Sequence, residues 1–405
     1  MLDDILTFCV NLSRNMIVSG ANLERVHLAV EFICKAYGLH DVSIFLLSSY
    51  ISVAAYDEHG NYSSHQASIP PSGIHLERLR SLNQLSYKVT EITPAPKLLA
   101  KMLERAMNVP DYSDVIVLAG KICAASCLSF MFGGNFADLI PVAIVTAIIH
   151  FVMRMLESTG LDRIVINALT MFIATAVSVI FVYSGVGSNL AVVLITVSML
   201  VIPGVPLVNA MRNMLCGMEN NGILQMLKIT VETLALAMGI FAAFIAFKGY
   251  MLMDGAPVSL TTPYLLVLLS FTASLGFGVV FRIAPKDIIL AGLGGALTRI
   301  ALLTFSPVIP SRLLYMTLSA SVAALYAEFW AVKRRQPSTY FVYPSIIPLI
   351  PGDLFFFTIA GLYVGNREFM YMNGTNCIIS LLGLSIGFVL SSTISLYVRR
   401  MRYRG

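Results

Sequence analysis

Asp353 stands directly after Pro351-Gly352 inside the apolar run Tyr340 to Tyr363, and Arg299 interrupts a second apolar run. A charge in hydrocarbon costs roughly 3 kcal/mol on insertion scales, so such residues mark functional positions. The chemistry open to this pair is narrow. A guanidinium holds a carboxylate through two parallel hydrogen bonds, and a carboxylate carries a proton or binds an amine. Pro-Gly stops a helix and frees backbone carbonyls and N–H groups, which a membrane tolerates only where they are buried in protein or line a cavity. The helix restarting at Leu354 turns its positive end toward that cavity. Ile-Pro-Gly recurs at 202–204, followed by Asn209, whose amide offers both a donor and an acceptor to a zwitterion. The candidate substrate-binding residues are therefore Pro203, Gly204, Asn209, Arg299, Pro351, Gly352 and Asp353.

Asp353, Asp138, Glu232 and His150 are the candidates for proton coupling, and all but Glu232 have a named architectural alternative. Asp353 could cap its half-helix, Asp138 (like Asp287) stands where a helix begins, and His150 could sit at the interface. Arg299 could likewise snorkel outward. Glu328 reads as interfacial, and Gly292, Gly294 and Gly295 as close helix packing. His59, His65 and His75 follow no metal-ligand spacing, and Cys123 and Cys127, four apart, read as small packing residues. The six cysteines (Cys9, Cys34, Cys123, Cys127, Cys216, Cys377) form no disulfide framework. There is no nucleophile elbow, phosphate loop or pair of catalytic acids, so neither an enzyme nor a cofactor or metal is expected.

The elements that position these residues follow from composition. Hydrophobic residues make up 57% of the 405 and charged residues 12%, about half the share of a soluble domain. The mean hydropathy is +0.80. This is a multi-span α-helical membrane protein. Residues 1–112 stand apart, with no run apolar enough to cross a bilayer and five of the six histidines. They read as a small α+β soluble domain: two amphipathic helices meeting at Ser19-Gly20, strands turning at Asp57 to Asn61, then two more helices, the last started by Pro96.

Ten spans follow, near 114–132, 136–155, 164–184, 189–209, 226–247, 263–281, 287–305, 310–332, 340–363 and 376–397. With the N-terminal domain inside, Arg154/Arg163, Arg212/Lys228, Arg282/Lys286, Lys333 to Arg335 and Arg399-Arg400 all fall on the cytoplasmic side. The opposite loops hold only scattered cations such as Lys248, Arg312 and Arg367. Placement, not the net charge of +5, is therefore the informative feature, and nucleic acid is not an expected partner. Spans 4 and 9 share Ile-Pro-Gly at an offset of 148, and spans 2 and 7 align Asp138 with Asp287 and His150 with Arg299 at 149. Five-span halves must insert in opposite directions, so the pattern is an inverted five-plus-five repeat. The halves are expected over 113–250 and 251–405, with the substrate site near the midplane between them.

The domain containing "SGANLERVHLAVEFICKAYGL", the "GGNFAD" turn after span 1 and the two Ile-Pro-Gly spans together resemble the threonine/serine exporter (ThrE) family over essentially the whole chain. The resemblance implies proton-coupled export, by antiport, of threonine or serine across the cytoplasmic membrane. It also implies an alternative in which the cargo is a dicarboxylate such as succinate. The expected partners are such a small carboxylate-bearing metabolite, protons and the lipid bilayer, with room for a homo-oligomer. Rival classes are a membrane sensor and a hydrolase working through the soluble domain.

Overall fold

A computed structural model describes residues 1–70, 73–215, 217–247 and 262–402, with side chains to Ile394. Cys216, Lys248, the boundary placed at 250/251 and the side chains of Arg399-Arg400 lie outside the described residues. The chain divides into two compact units, Met1–Tyr112 with Phe281–Asp287 and Ala327–Phe341, and Ser113–Val280 with Ile288–Tyr326 and Val342–Gly405.

The first unit contains α1 (Leu2–Val18), α2 (Leu23–Ala36), β1 (His40–Leu46), β2 (Tyr50–Tyr56), β3 (Tyr62–Ser68), α3 (Leu76–Ile92) and α4 (Pro96–Met107). The strands form one antiparallel sheet in the order β1-β2-β3. Alternation sends Ile51, Val53 and Ala55 of β2 into the core, while Ile5, Cys9, Leu12 and Met16 recur at helical spacing along the buried face of α1. The expected turn joins β2 to β3, held by Asp57, whose carboxylate accepts from the N–H groups of His59 and Asn61, each at 2.9 Å. His65 lies 3.2 Å from Asp3 of α1.

This unit also takes in two stretches far along the chain. The first N–H groups of α3 have no partner inside their own helix. Leu76 N–H donates to Phe281 O at 2.9 Å and Glu77 N–H to Arg282 O at 3.0 Å. Arg282 adopts a left-handed φ of 60° and pairs with Asp111, and Tyr112 donates its hydroxyl to Ile283 O at 2.7 Å. The Tyr340 hydroxyl accepts from Ala284 N–H at 2.8 Å and lies 3.2 Å from the Glu77 carboxylate and 3.5 Å from that of Asp287.

His75 caps α3, its Nδ1 accepting from Arg78 N–H at 3.2 Å. Burial first, then the Arg78 and Arg282 charges, lower its pKa from 6.5 to about 4, so the ring stays neutral and its 3.6 Å approach to Asp111 is no ion pair at neutral pH. Between those values the unfolded chain binds a proton that the folded ring refuses, so stability falls as pH falls from 6.5 toward 4. The expected loss is on the order of 2 kcal/mol, allowing for partial solvent access to the ring. Hydrogen exchange at the α3 amides of the full-length protein should accelerate over that window. His75→Asn keeps a capping acceptor and should flatten the dependence; an unchanged slope in that variant would contradict the assignment.

In the second unit and its extensions the helices are α5 (Asp114–Met131), α6 (Leu139–Glu157), α7 (Arg163–Tyr183), α8 (Leu190–Val201), α9 (Gly204–Leu215), α10 (Glu219–Ala246), α11 (Pro263–Val280), α12 (Ile288–Phe305), α13 (Arg312–Arg334), α14 (Thr339–Ser345), α15 (Gly352–Val364) and α16 (Arg367–Arg402). Nine described segments are long and apolar enough to cross a membrane, and α8 with α9, bent by 57° at Ile202-Pro203, makes the tenth. The helices of spans 5 and 10 begin earlier than expected, at Glu219 and Arg367. Their polar first turns lack the apolar character of a span, yet helical hydrogen bonding does not stop where hydrocarbon does. Span 9 is not one helix. It comprises α14, a 3-10 turn over Ile347–Leu349, and α15.

Among the described residues the inverted repeat extends to every membrane helix, while the 3-10 turn over Ile347–Leu349 has no counterpart in span 4. Each helix start in the second half follows its counterpart by 149 or 148 residues: Asp114 and Pro263, Leu139 and Ile288, Arg163 and Arg312, Leu190 and Thr339, Gly204 and Gly352, Glu219 and Arg367. Both α6 and α12 are preceded by a 3-10 turn ending in a fully buried aspartate, Asp138 or Asp287. Counterparts also touch. α5 crosses α11 where a Cβ on Gly276 would come 2.6 Å from the Gly120 carbonyl oxygen, a separation only glycine allows. The two breaks cross as well: a Cβ on Gly204 would lie 2.8 Å from Ile350, and one on Gly352 would overlap the Met199 thioether.

Candidate functional site

The break in span 9 opens onto a cavity of about 340 Å³, within the range of small-ligand sites. It is walled by Leu128, Met131 and Phe132 at the end of α5, Met199 of α8, Arg299 and Leu303 of α12, Arg312 and Tyr315 of α13, and Ile347 to Pro351 with Asp353. All of these belong to the second unit.

Arg299 is carried on α12, whose Gly294 and Gly295 admit Ser345 and Ser274 where any side chain would collide. That proximity to α11 lets the Arg299 Nε–H donate to Ser270 Oγ at 3.0 Å. Among the described residues this is the side chain's one hydrogen-bond partner, so its remaining N–H donors are uncommitted. Arg312 opens α13 and donates from Nε to Ser380 Oγ of α16 at 2.8 Å, again its one partner among the described residues. Asp353, the second residue of α15, has these two guanidiniums as its charged neighbours, Arg312 the stronger and Arg299 the weaker. All three side chains are half-buried. Two cations and one anion therefore share one pocket, a net positive arrangement able to hold a carboxylate on an arginine and an ammonium group on Asp353.

Arg299, Pro351 and Asp353 line the cavity, while the remaining expected substrate residues do not. Pro203 and Gly204 form the crossing partner of the break, with Gly204 against Ile350, and Gly352 faces Met199. Asn209 donates to the Tyr343 hydroxyl at 2.8 Å and so links α9 to α14. The proton-coupling candidates other than Asp353 also lie off the cavity wall. The Asp138 carboxylate accepts from the N–H groups of Asn135, Ser188 and Asn189 at 2.7–3.0 Å and from the Ser188 hydroxyl. Glu232 is buried on α10. His150, on α6, receives the Lys121 ammonium group at 3.2 Å. Sequence reasoning missed Arg312 and the α5 wall. For Arg312 a signal was present, because it stands 149 residues after Arg163 and both open a span.

Up to ten candidate spans among the described residues, in two inverted halves with broken helices crossing beside a charged cavity, define a membrane transporter. Within that class, residues 7–246 match the ThrE family model, described as "Putative threonine/serine exporter", and residues 266–394 match a second, described as "Threonine/Serine exporter, ThrE". The chain belongs to the threonine/serine exporter family, with both parts fused in one polypeptide. No curated protein and no solved structure shows a significant match to it.

Proposed function

We propose that this protein exports threonine or serine across the cytoplasmic membrane in exchange for protons, binding its cargo in the cavity at the broken span 9. The observation that carries the reading is the convergence of Arg299, Arg312 and Asp353 on that cavity. An arginine takes the substrate carboxylate and Asp353 takes the amine or, between substrates, a proton. Proton coupling falls to Asp353 ahead of Asp138, whose carboxylate is already engaged by several donors, and of Glu232 and His150, which do not line the cavity. The halves, 113–250 and 251–405, would rock about the crossing of spans 4 and 9 for alternating access. An inside N-terminus and C-terminus is supported by the compact unit that joins residues 1–112 to residues 281–287 and 327–341, which carry cations expected on the cytoplasmic side.

A dicarboxylate cargo is the second reading, favoured by the presence of two arginines for one aspartate. Counterflow in proteoliposomes tests the assignment. Wild-type protein should accumulate labelled serine or threonine against unlabelled substrate inside, and an imposed proton gradient should alter the flux. Saturable ligand binding with no counterflow would instead mark a sensor.

A further inference from the structure

The polar pair at the cavity has a counterpart in the other half. Lys121 on α5 and His150 on α6 stand 149 residues before Ser270 on α11 and Arg299 on α12. Both pairs are in contact, Lys121 Nζ to His150 Nδ1 at 3.2 Å and Arg299 Nε to Ser270 Oγ at 3.0 Å. Arg163 opens α7 as Arg312 opens α13, also 149 apart. Each basic residue of the cavity, Arg299 and Arg312, thus corresponds to a basic residue, His150 and Arg163, of the first half. The halves of an inverted repeat present matching positions toward opposite faces, so the basic residues that line the cavity in the second half have positional counterparts near the other face in the first.

We propose that Lys121 and His150 form a second carboxylate-binding station, which the substrate occupies when the transporter opens to the face where α6 ends and α7 begins. This rests on the reading of the Arg299 cavity as the substrate site. An independent observation points to a ligand. An ammonium group can only donate, so His150 Nδ1 accepts from Lys121 and the ring proton sits on Nε2. His150 is 8% exposed and its Nε2 has no partner, leaving a buried N–H donor that a carboxylate would satisfy.

The two stations differ in one respect. The position matching Asp353 is Val205, 148 residues earlier, so the second station has no carboxylate there for an amine. The acids of the elements around it are Glu157, a charged neighbour of Lys121, Asp114, paired with Arg154, and Asp162, which caps α7 by accepting from Ile164 N–H. The station therefore binds carboxylates of either kind, and preference for an amino acid is imposed at Asp353.

The test is sided kinetics in proteoliposomes, with one orientation of the protein blocked and labelled serine, threonine and succinate offered to each face in turn. Lys121→Met and His150→Leu should raise KM at the face where α6 ends by about tenfold, the equivalent of about 1.4 kcal/mol, and alike for every transported substrate. KM at the opposite face should stay within about twofold, and Lys121→Arg should restore the wild-type value, which a merely destabilised variant would not do. Unchanged KM at both faces, or an equal rise at both, overturns the proposal while wild-type flux keeps the transport reading intact. Absence of wild-type flux for all three substrates overturns both.

Discussion

Arg299→Gln is expected to reduce threonine or serine counterflow at least about 100-fold while leaving the fold intact. The guanidinium spends one donor on Ser270 and lines the cavity, so a substrate carboxylate there would form a charge-assisted, bidentate pair. Removing one partner of a buried charge pair costs about 2–5 kcal/mol, or roughly 30-fold to several thousand-fold in affinity. Glutamine retains a single donor and no charge. Arg299→Lys keeps the charge without the planar fork and should recover only part of the loss. Stability should move the other way. A cation held in a membrane cavity without a carboxylate in hydrogen bond to it contributes desolvation cost, so the glutamine variant should melt at or above the wild-type temperature in detergent. Lost flux accompanied by a lower melting temperature would assign Arg299 to architecture.

Asp353→Asn should separate the two kinds of cargo. Asp353 lies in the first turn of α15 and does not cap it, Pro351 being the N-cap with no side-chain cap hydrogen bond, so α15 and the crossing with Met199 should persist in the variant. The variant loses the charge that would hold an ammonium group or a proton. An ion-pair hydrogen bond contributes about 1.5–3 kcal/mol, so amino-acid flux should drop by about one to two orders of magnitude. A dicarboxylate meets a cavity with two arginines and no opposing anion, so its flux should be retained or raised. Any pH dependence of amino-acid flux should weaken in parallel, because the group proposed to exchange the proton is gone.

Much of this arrangement is legible along one chain because it depends on local or repeated features. Pro351-Gly352 breaks its helix by backbone chemistry alone, and the matching Pro203-Gly204 reveals both the repeat and the partner break. Arg299 and Asp353 stand out because a charge in an apolar run needs a reason. What escapes the sequence is lateral packing. Nothing in "LVIPGVPLVNAM" indicates that Asn209 turns to Tyr343 instead of the cavity, since helix phase decides that once the neighbouring helix is in place. Met131 and Phe132 read as ordinary lipid-compatible residues until α5 is known to end beside the span 9 break. Arg312 sits at a helix start beside a loop, where cations are commonplace, and only its partner at Arg163 distinguishes it. The joining of α3 to residues 281–284 runs largely through backbone groups, which carry no side-chain signature.

Substrate is proposed to bind among Arg299, Arg312 and Asp353 at the broken span 9. The most direct test is the ratio of labelled serine or threonine counterflow to labelled succinate counterflow, measured in the same proteoliposome preparation for wild type and Asp353→Asn. This ratio should fall by at least about tenfold in the variant, through loss of the amine's partner. A ratio unchanged from wild type, with amino-acid flux and its pH dependence intact, would contradict it and place the substrate elsewhere.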